Sequence, residues 1–218
     1  MSCCSHCAAS ELVFDPKRAE DDRARYQRRG PDSTTKLIIE QLRPITRPGN
    51  TLLDVGGGIG VIGLELQTSG LREIVLVDAA PSSLSVAERL FADAVSSAEL
   101  RVVPGDFVDL SPRLEADIVT MDRVVCCYPD YVALLERAAA SARSTLSLSF
   151  PRDRWFVRVR VSVENFVRRV RRNAFRTFVH PEAEMLAILC GAGFRRIGRR
   201  TTLAWCVDHW ERSTSAEP

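Results

Sequence analysis

The sequence predicts an α/β fold built on a doubly wound, mostly parallel sheet. Three observations carry that reading. From residue 51 onward, short apolar runs alternate with stretches of helical periodicity, the pattern of parallel strands joined by crossover helices. Thr51–Gly63 reads TLLDVGGGIGVIG, an apolar strand that stops at a glycine cluster and restarts as a helix, which is the layout of a nucleotide cradle. Finally, Asp54, Asp78, Asp106 and Asp122 each stand at the end of a predicted strand. Open sheets of this kind bind ligands beyond the carboxyl ends of their strands, where strand order reverses.

In chain order, Asp15-Pro16 supplies a cap and a first-turn proline for a charged helix running to about Arg29. Gly30-Pro31 breaks it, and Asp32 or Ser33 caps a second helix over Thr34–Leu42. After the first strand, Gly60–Thr68 is the first crossover helix and Glu73–Asp78 (EIVLVD) the second strand. Ser82 or Ser83 opens a helix to about Ala94; Leu100–Val103 and Ala116–Met121 are strands three and four. Tyr131–Ala142 is an Ala/Leu helix and Ser144–Phe150 strand five. Trp155–Val163 satisfies both a two-residue and a helical period. The helical one continues to Arg172, too far for a single strand, so the segment reads as helix. A helix over Glu182–Cys190 and a strand pair over Phe194–Arg199 and Leu203–Trp210 close the chain.

Length and composition bound the rest. The 218 residues, 45% of them apolar, suit one domain with a sizeable core. The division is residues 1–10 as a mobile Cys-rich tail, 11–212 as the domain and 213–218 as a tail. No apolar run reaches the ~20 residues of a membrane span, and the N-terminus lacks the basic start and apolar core of a signal peptide. With seven cysteines, two adjacent pairs among them, and no export signal, a reducing cytoplasm is the expected setting. Cys3, Cys4, His6 and Cys7 are soft-metal ligand types, but vicinal Cys3–Cys4 spaces a tetrahedral site poorly, and reactive thiols on a tail are the simpler reading. No metal site is predicted. A net charge of +2 argues against a nucleic-acid partner.

The glycine turn narrows the ligand class. A side chain there would hold a ligand away from the backbone, and Gly alone adopts positive φ cheaply. Asp78, 24 residues after Asp54, is placed to accept hydrogen bonds from vicinal ribose hydroxyls. Gly58-x-Gly60-x-x-Gly63 also fits a dinucleotide fingerprint, so NAD competes. Asp54 opposes it: a carboxylate beside the turn repels a pyrophosphate and attracts the ammonium and sulfonium of S-adenosylmethionine (SAM). Gly105–Asp106–Phe107 then suits an adenine amino group and ring face.

At these residues the sequence resembles the class I SAM-dependent methyltransferases, over roughly Leu37 to Trp210. Asp54–Gly60 is similar to their first motif, Asp78 to their ribose acid and Asp106–Phe107 to their adenine contact. The resemblance implies a Rossmann-like, doubly wound seven-stranded sheet, mostly parallel with a C-terminal antiparallel strand, and an N-terminal helical lid. It implies SAM as methyl donor and S-adenosylhomocysteine as product. Asp54, Gly56, Gly58, Asp78, Ala79, Asp106, Phe107 and Asp122 are then the donor-binding residues. The loop Asp122–Asp130 (DRVVCCYPD) is similar to that of magnesium-protoporphyrin O-methyltransferases. Those have Asp-x-Leu-Ile-His-Tyr-Pro, one residue shorter, and Cys127 stands where they carry His.

The loop has neither the Asn/Asp-Pro-Pro-aromatic motif of amino-group methyltransferases nor an acid cluster for Mg²⁺. A metal-independent methyl transfer to a small molecule is the resulting expectation. Candidate bases are Tyr26, Cys127 and His180. If the loop is extended, Cys126 and Cys127 point to opposite sides, so that one faces the ligand. A non-catalytic SAM-binding protein, an NAD(P)-dependent oxidoreductase and an RNA methyltransferase are the alternatives. From Arg152 to Arg200 there are thirteen Arg against four acids. An acidic substrate, a membrane surface or RNA would each fit this charge, but a solvated face ranks first.

Overall fold

The computed structural model describes residues 13–94 and 98–213. Cys3, Cys4, His6 and Cys7 lie outside the described residues. The seven strands are β1 (Thr51–Val55), β2 (Glu73–Asp78), β3 (Glu99–Pro104), β4 (Ala116–Met121), β5 (Ala142–Pro151), β6 (Phe194–Thr201) and β7 (Trp205–Arg212). They form one sheet in the order β3-β2-β1-β4-β5-β7-β6. The first five pair in parallel, while β7 runs antiparallel to both β5 and β6. The chain leaves β1 toward β2 and β3, then returns to β4 on the other side. The β1/β4 boundary is therefore the switch point.

The helices are α1 (Pro16–Arg29), α2 (Ser33–Leu42), α3 (Val61–Leu66), α4 (Pro81–Ala92), α5 (Tyr131–Ser141), α6 (Trp155–Val170) and α7 (Glu182–Gly191). Central strand β1 is buried along its whole length, as expected for a parallel strand covered on both faces. Leu53 and Val55 face a core with Leu134 and Leu135 of α5 and Met185 and Leu189 of α7. Leu52 faces the opposite core, with Ile38 and Leu42 of α2, Ile62 of α3 and Leu90 and Phe91 of α4. The period-two alternation of the strands thus assigns helices to both sides of the sheet.

Local chemistry sets the ends. Asp15 accepts the Arg18 N–H at 2.7 Å, and Gly30, at φ +71°, stops α1. Asp32 precedes α2 but makes no capping bond; its carboxylate pairs instead with Arg25 and Arg123. Helix α4 begins at Pro81, ahead of the expected serines, because proline at the first helical position gives up only an N–H that would lack a helical partner anyway. The loop after β4 departs from expectation. Val125–Cys127 is a 3₁₀ turn, not an extended segment, so Cys126 and Cys127 do not alternate.

Candidate functional site

A cavity of about 520 Å³ opens beyond the carboxyl ends of β1, β2 and β4. Asp54, Gly56, Gly58, Asp78, Ala79, Asp106, Phe107 and Asp122 all line it. The two strands flanking the switch point supply Asp54 and Asp122 to its floor, and β2 supplies Asp78.

The carboxylates are held in different ways. Asp54 is buried, and its Oδ1 accepts the Thr120 hydroxyl of β4 at 2.6 Å. Its Oδ2 is buried with no protein hydrogen-bond partner. Burial pushes the Asp54 carboxyl up to about 7, against the Thr120 hydrogen bond and with help from nearby Asp122 and Asp78. Asp78 accepts the Gly58 N–H at 2.9 Å and the Ala80 N–H at 2.8 Å, one on each oxygen, which leaves each oxygen a second acceptor site. Burial raises its pKa despite both bonds. Asp106 accepts the Tyr128 hydroxyl at 2.9 Å and caps its own turn through Val108 N–H at 3.1 Å. Asp122 bridges Thr35 of α2 and Ser149 of β5, at 2.5 and 2.6 Å.

The glycines serve separate purposes. A Cβ on Gly57 would stand 2.4 Å from Asp54 Oδ2, and one on Gly56 would meet Val124 at 2.5 Å. Gly58 has φ +57° with nothing within 4 Å of its missing Cβ, so a side chain there would be strained and would enter open space beside the Asp78 carboxylate. Gly63 would strike Ile74; it lets α3 pack closely on β2 and touches no ligand space.

The three candidate bases separate clearly. Cys127 lines the cavity, and so does Cys126. Their sulfurs lie 3.6 Å apart, and both thiols reach the Arg123 carbonyl, at 3.3 and 3.4 Å. The hydrogen bond from Cys126 pulls the Cys127 thiol down against the effect of burial, with Arg168 and Arg123 adding to the pull. The same bond, with burial, pushes Cys126 up. Tyr26 does not line the cavity. Its hydroxyl donates to Glu65 at 3.0 Å, and half-burial with that bond raises it to about 12. His180 is also absent from the lining. Its Nε2 donates to the carbonyls of Val125 and Tyr128, at 3.0 and 3.1 Å, so the proton sits on Nε2. Its ring packs between Phe178 and Tyr131. With the Phe178 N–H on the Cys126 carbonyl at 2.7 Å, His180 buttresses the cysteine turn from behind.

Sequence reasoning missed the outer wall. Arg18, Asp22 and Arg25 of α1, Glu164 and Arg168 of α6, and Phe175 all reach the cavity. The periodicity of the α6 segment predicts a helix, but nothing local in it states which of its faces turns inward.

The cavity floor suits a cationic nucleoside. A buried carboxylate oxygen without a protein partner, packed against Gly57 where a Cβ would clash, is chemically suited to an ammonium or sulfonium group. The sheet order and the antiparallel β7 are those of the class I SAM-dependent methyltransferase fold. A family model described as methyltransferase small domain matches residues 21–122, which takes in the later part of α1 and β1 through β4.

Among solved structures, magnesium protoporphyrin IX methyltransferase from Synechocystis, with bound S-adenosylhomocysteine, superposes with a TM-score of 0.68 at 20% identity, covering 83% of this chain and 82% of that one. The 1,6-didemethyltoxoflavin-N1-methyltransferase of Burkholderia thailandensis superposes at 0.63 with 16% identity, over 95% and 88%. Among curated proteins, the ribosomal protein L11 methyltransferase of Leuconostoc citreum is 28% identical over 108 residues, 50% of this chain and 32% of its own. The cypemycin N-terminal methyltransferase of a Streptomyces species is 40% identical over 85 residues, 39% of this chain and 32% of its own. The chain thus spans about a third of the length of these curated relatives.

Proposed function

We propose that this chain transfers a methyl group from SAM to a small molecule held between the sheet rim and α1 and α6. The observation that carries the reading is the two-sided cavity. Its floor is the row Asp54, Asp78, Asp106 and Asp122, while its outer wall is made by α1 and α6. When bound, SAM supplies an electrophilic methyl on a sulfonium. Asp54 would hold the cationic amino-acid end, Asp78 the ribose hydroxyls, and Asp106 with Phe107 the adenine. Gly56 and Gly58 would let the donor approach the backbone.

In-line displacement at carbon depends chiefly on alignment. The chain's contribution is therefore to bind donor and acceptor in register and to exclude water. Cys127 is the candidate base that stands at the cavity, on a turn locked by His180 and Phe178; we assign it the contact with the acceptor. Tyr26 and His180 act instead as positioning residues for α1 and for that turn.

Methyl-tritiated SAM and a desalted small-molecule extract, incubated with the full chain, test the proposal. The expected result is label in the fraction free of protein and nucleic acid. Label found only in protein or RNA, or no transfer with intact SAM binding, would overturn the small-molecule acceptor.

A further inference from the structure

Among the described helices, α6 leaves the most large apolar side chains exposed. Among its residues, only Val157 is buried. Trp155, Val159, Val163, Phe166 and Val170 are exposed at 77%, 54%, 56%, 66% and 67%, and their spacing of four, four, three and four residues puts them on one stripe. Leu203, 78% exposed, extends the stripe at the start of the helix, because its turn is tied to Arg152 through Thr202 and Ala204. The opposite side of α6 is committed to the protein: Glu164 and Arg168 line the cavity.

The apolar stripe is bordered by cations. At 3.6 residues per turn, Arg158 and Arg169 fall along one margin and Arg160 and Arg171 along the other. All four are exposed. From Arg152 to Arg176 there are nine Arg and only two acids, Asp153 and Glu164. A helix with aromatic and aliphatic side chains on one face and arginines at both margins is the arrangement that lies flat in a lipid interface. The rings sink among acyl chains while the guanidinium groups reach the headgroups.

We propose that α6 docks this protein on the surface of an anionic lipid bilayer. The charge excludes the simpler occupants of an apolar face. A second copy would bring two strongly cationic segments together. An RNA would satisfy the arginines but leave five large apolar side chains facing phosphate and water. A bilayer carrying anionic lipid satisfies both the stripe and its margins. Docking would place the outer wall of the cavity against the membrane, and it requires neither SAM nor methyl transfer.

Co-sedimentation of the full chain with sucrose-loaded vesicles tests this. Phosphatidylcholine vesicles containing a quarter phosphatidylglycerol are compared with pure phosphatidylcholine. The expected result is strong pelleting with the anionic vesicles, weakened by salt, and a blue shift of tryptophan emission that Trp155→Phe removes. Each arginine near such a surface contributes enough that Arg158→Gln with Arg169→Gln should lower partitioning roughly tenfold or more. Val163→Asp with Phe166→Asp should abolish it. Both residues are exposed, so an unchanged thermal melt confirms that the fold survives.

Equal binding to both vesicle types, or no binding to either, would overturn the proposal. A dimer in light scattering that Phe166→Asp dissolves would also overturn it, and so would RNA retention without vesicle binding.

Discussion

The sheet rim and helix α6 are built from opposite materials. On the rim, each carboxylate is pinned by short-range partners. Asp78 is held by two backbone N–H groups, Asp106 by Tyr128 and its own turn, Asp122 by two hydroxyls. On α6, the polar groups pair with each other at the surface, as Arg160 does with Glu164 at 2.8 Å, and the apolar groups face water. The rim is made of buried or hydrogen-bonded carboxylates, the helix of an exposed apolar stripe. The proposed donor site and the proposed acceptor wall are thus carried by different layers of the fold.

The sharpest way to break that contrast is at Asp54. Its folded pKa of about 7 lies above the ordinary carboxylate value, so between those two values the folded state holds a proton that the unfolded state has released. Stability from this group is therefore lost as pH rises from about 4 to about 7 and stays low above that. Asp54→Asn should melt higher than the parent at pH 8, by up to a few kcal/mol in donor-free protein, with the difference closing toward pH 5. The same variant should bind SAM worse. An equal shift at both pH values would show that Asp54 is not a buried, strained carboxylate.

Gly58→Ala sharpens the contrast from the backbone side. Its left-handed φ of +57° with free space around it predicts a stability cost of about 1–2 kcal/mol. Calorimetry should show SAM affinity falling further than stability does, because the new methyl enters ligand space. Cys127→Ser tests the outer wall. Methyl transfer should fall about tenfold or more while SAM affinity stays within twofold, since Cys127 is not assigned to the donor. The smallest effect is expected at Tyr26→Phe. Loss of the Glu65 hydrogen bond should cost about 1 kcal/mol in a chemical melt, with only a small loss of turnover as α1 gives up that tie.

The rim was legible because its signals are local. Glycine at a strand end, or an acid one residue beyond an apolar run, has the same meaning whatever lies elsewhere, and every residue named for the donor lines the cavity. Tyr26 and His180 were not legible for the opposite reason. Each is an amphipathic ring whose role is set by a partner distant in sequence, Glu65 for one and the Val125 carbonyl for the other. Periodicity shows that α6 is amphipathic but not which face the sheet takes. Arginines expected on a solvated face, Arg158, Arg160, Arg169 and Arg171 among them, are exposed, and what the sequence does not state is that Trp155 and Phe166 stand exposed beside them. The cysteine turn was misjudged because a 3₁₀ turn and a short extended segment look alike over three residues.

Calorimetric titration of the full chain and of Asp78→Ala with S-adenosylhomocysteine, with NADH as a control, tests the donor assignment most directly. The account predicts one site in the parent, a loss of roughly ten- to a hundredfold in the variant from the missing charge-assisted hydrogen bonds, and no NADH binding in either. Binding of NADH, or S-adenosylhomocysteine affinity that Asp78→Ala leaves unchanged, would contradict it.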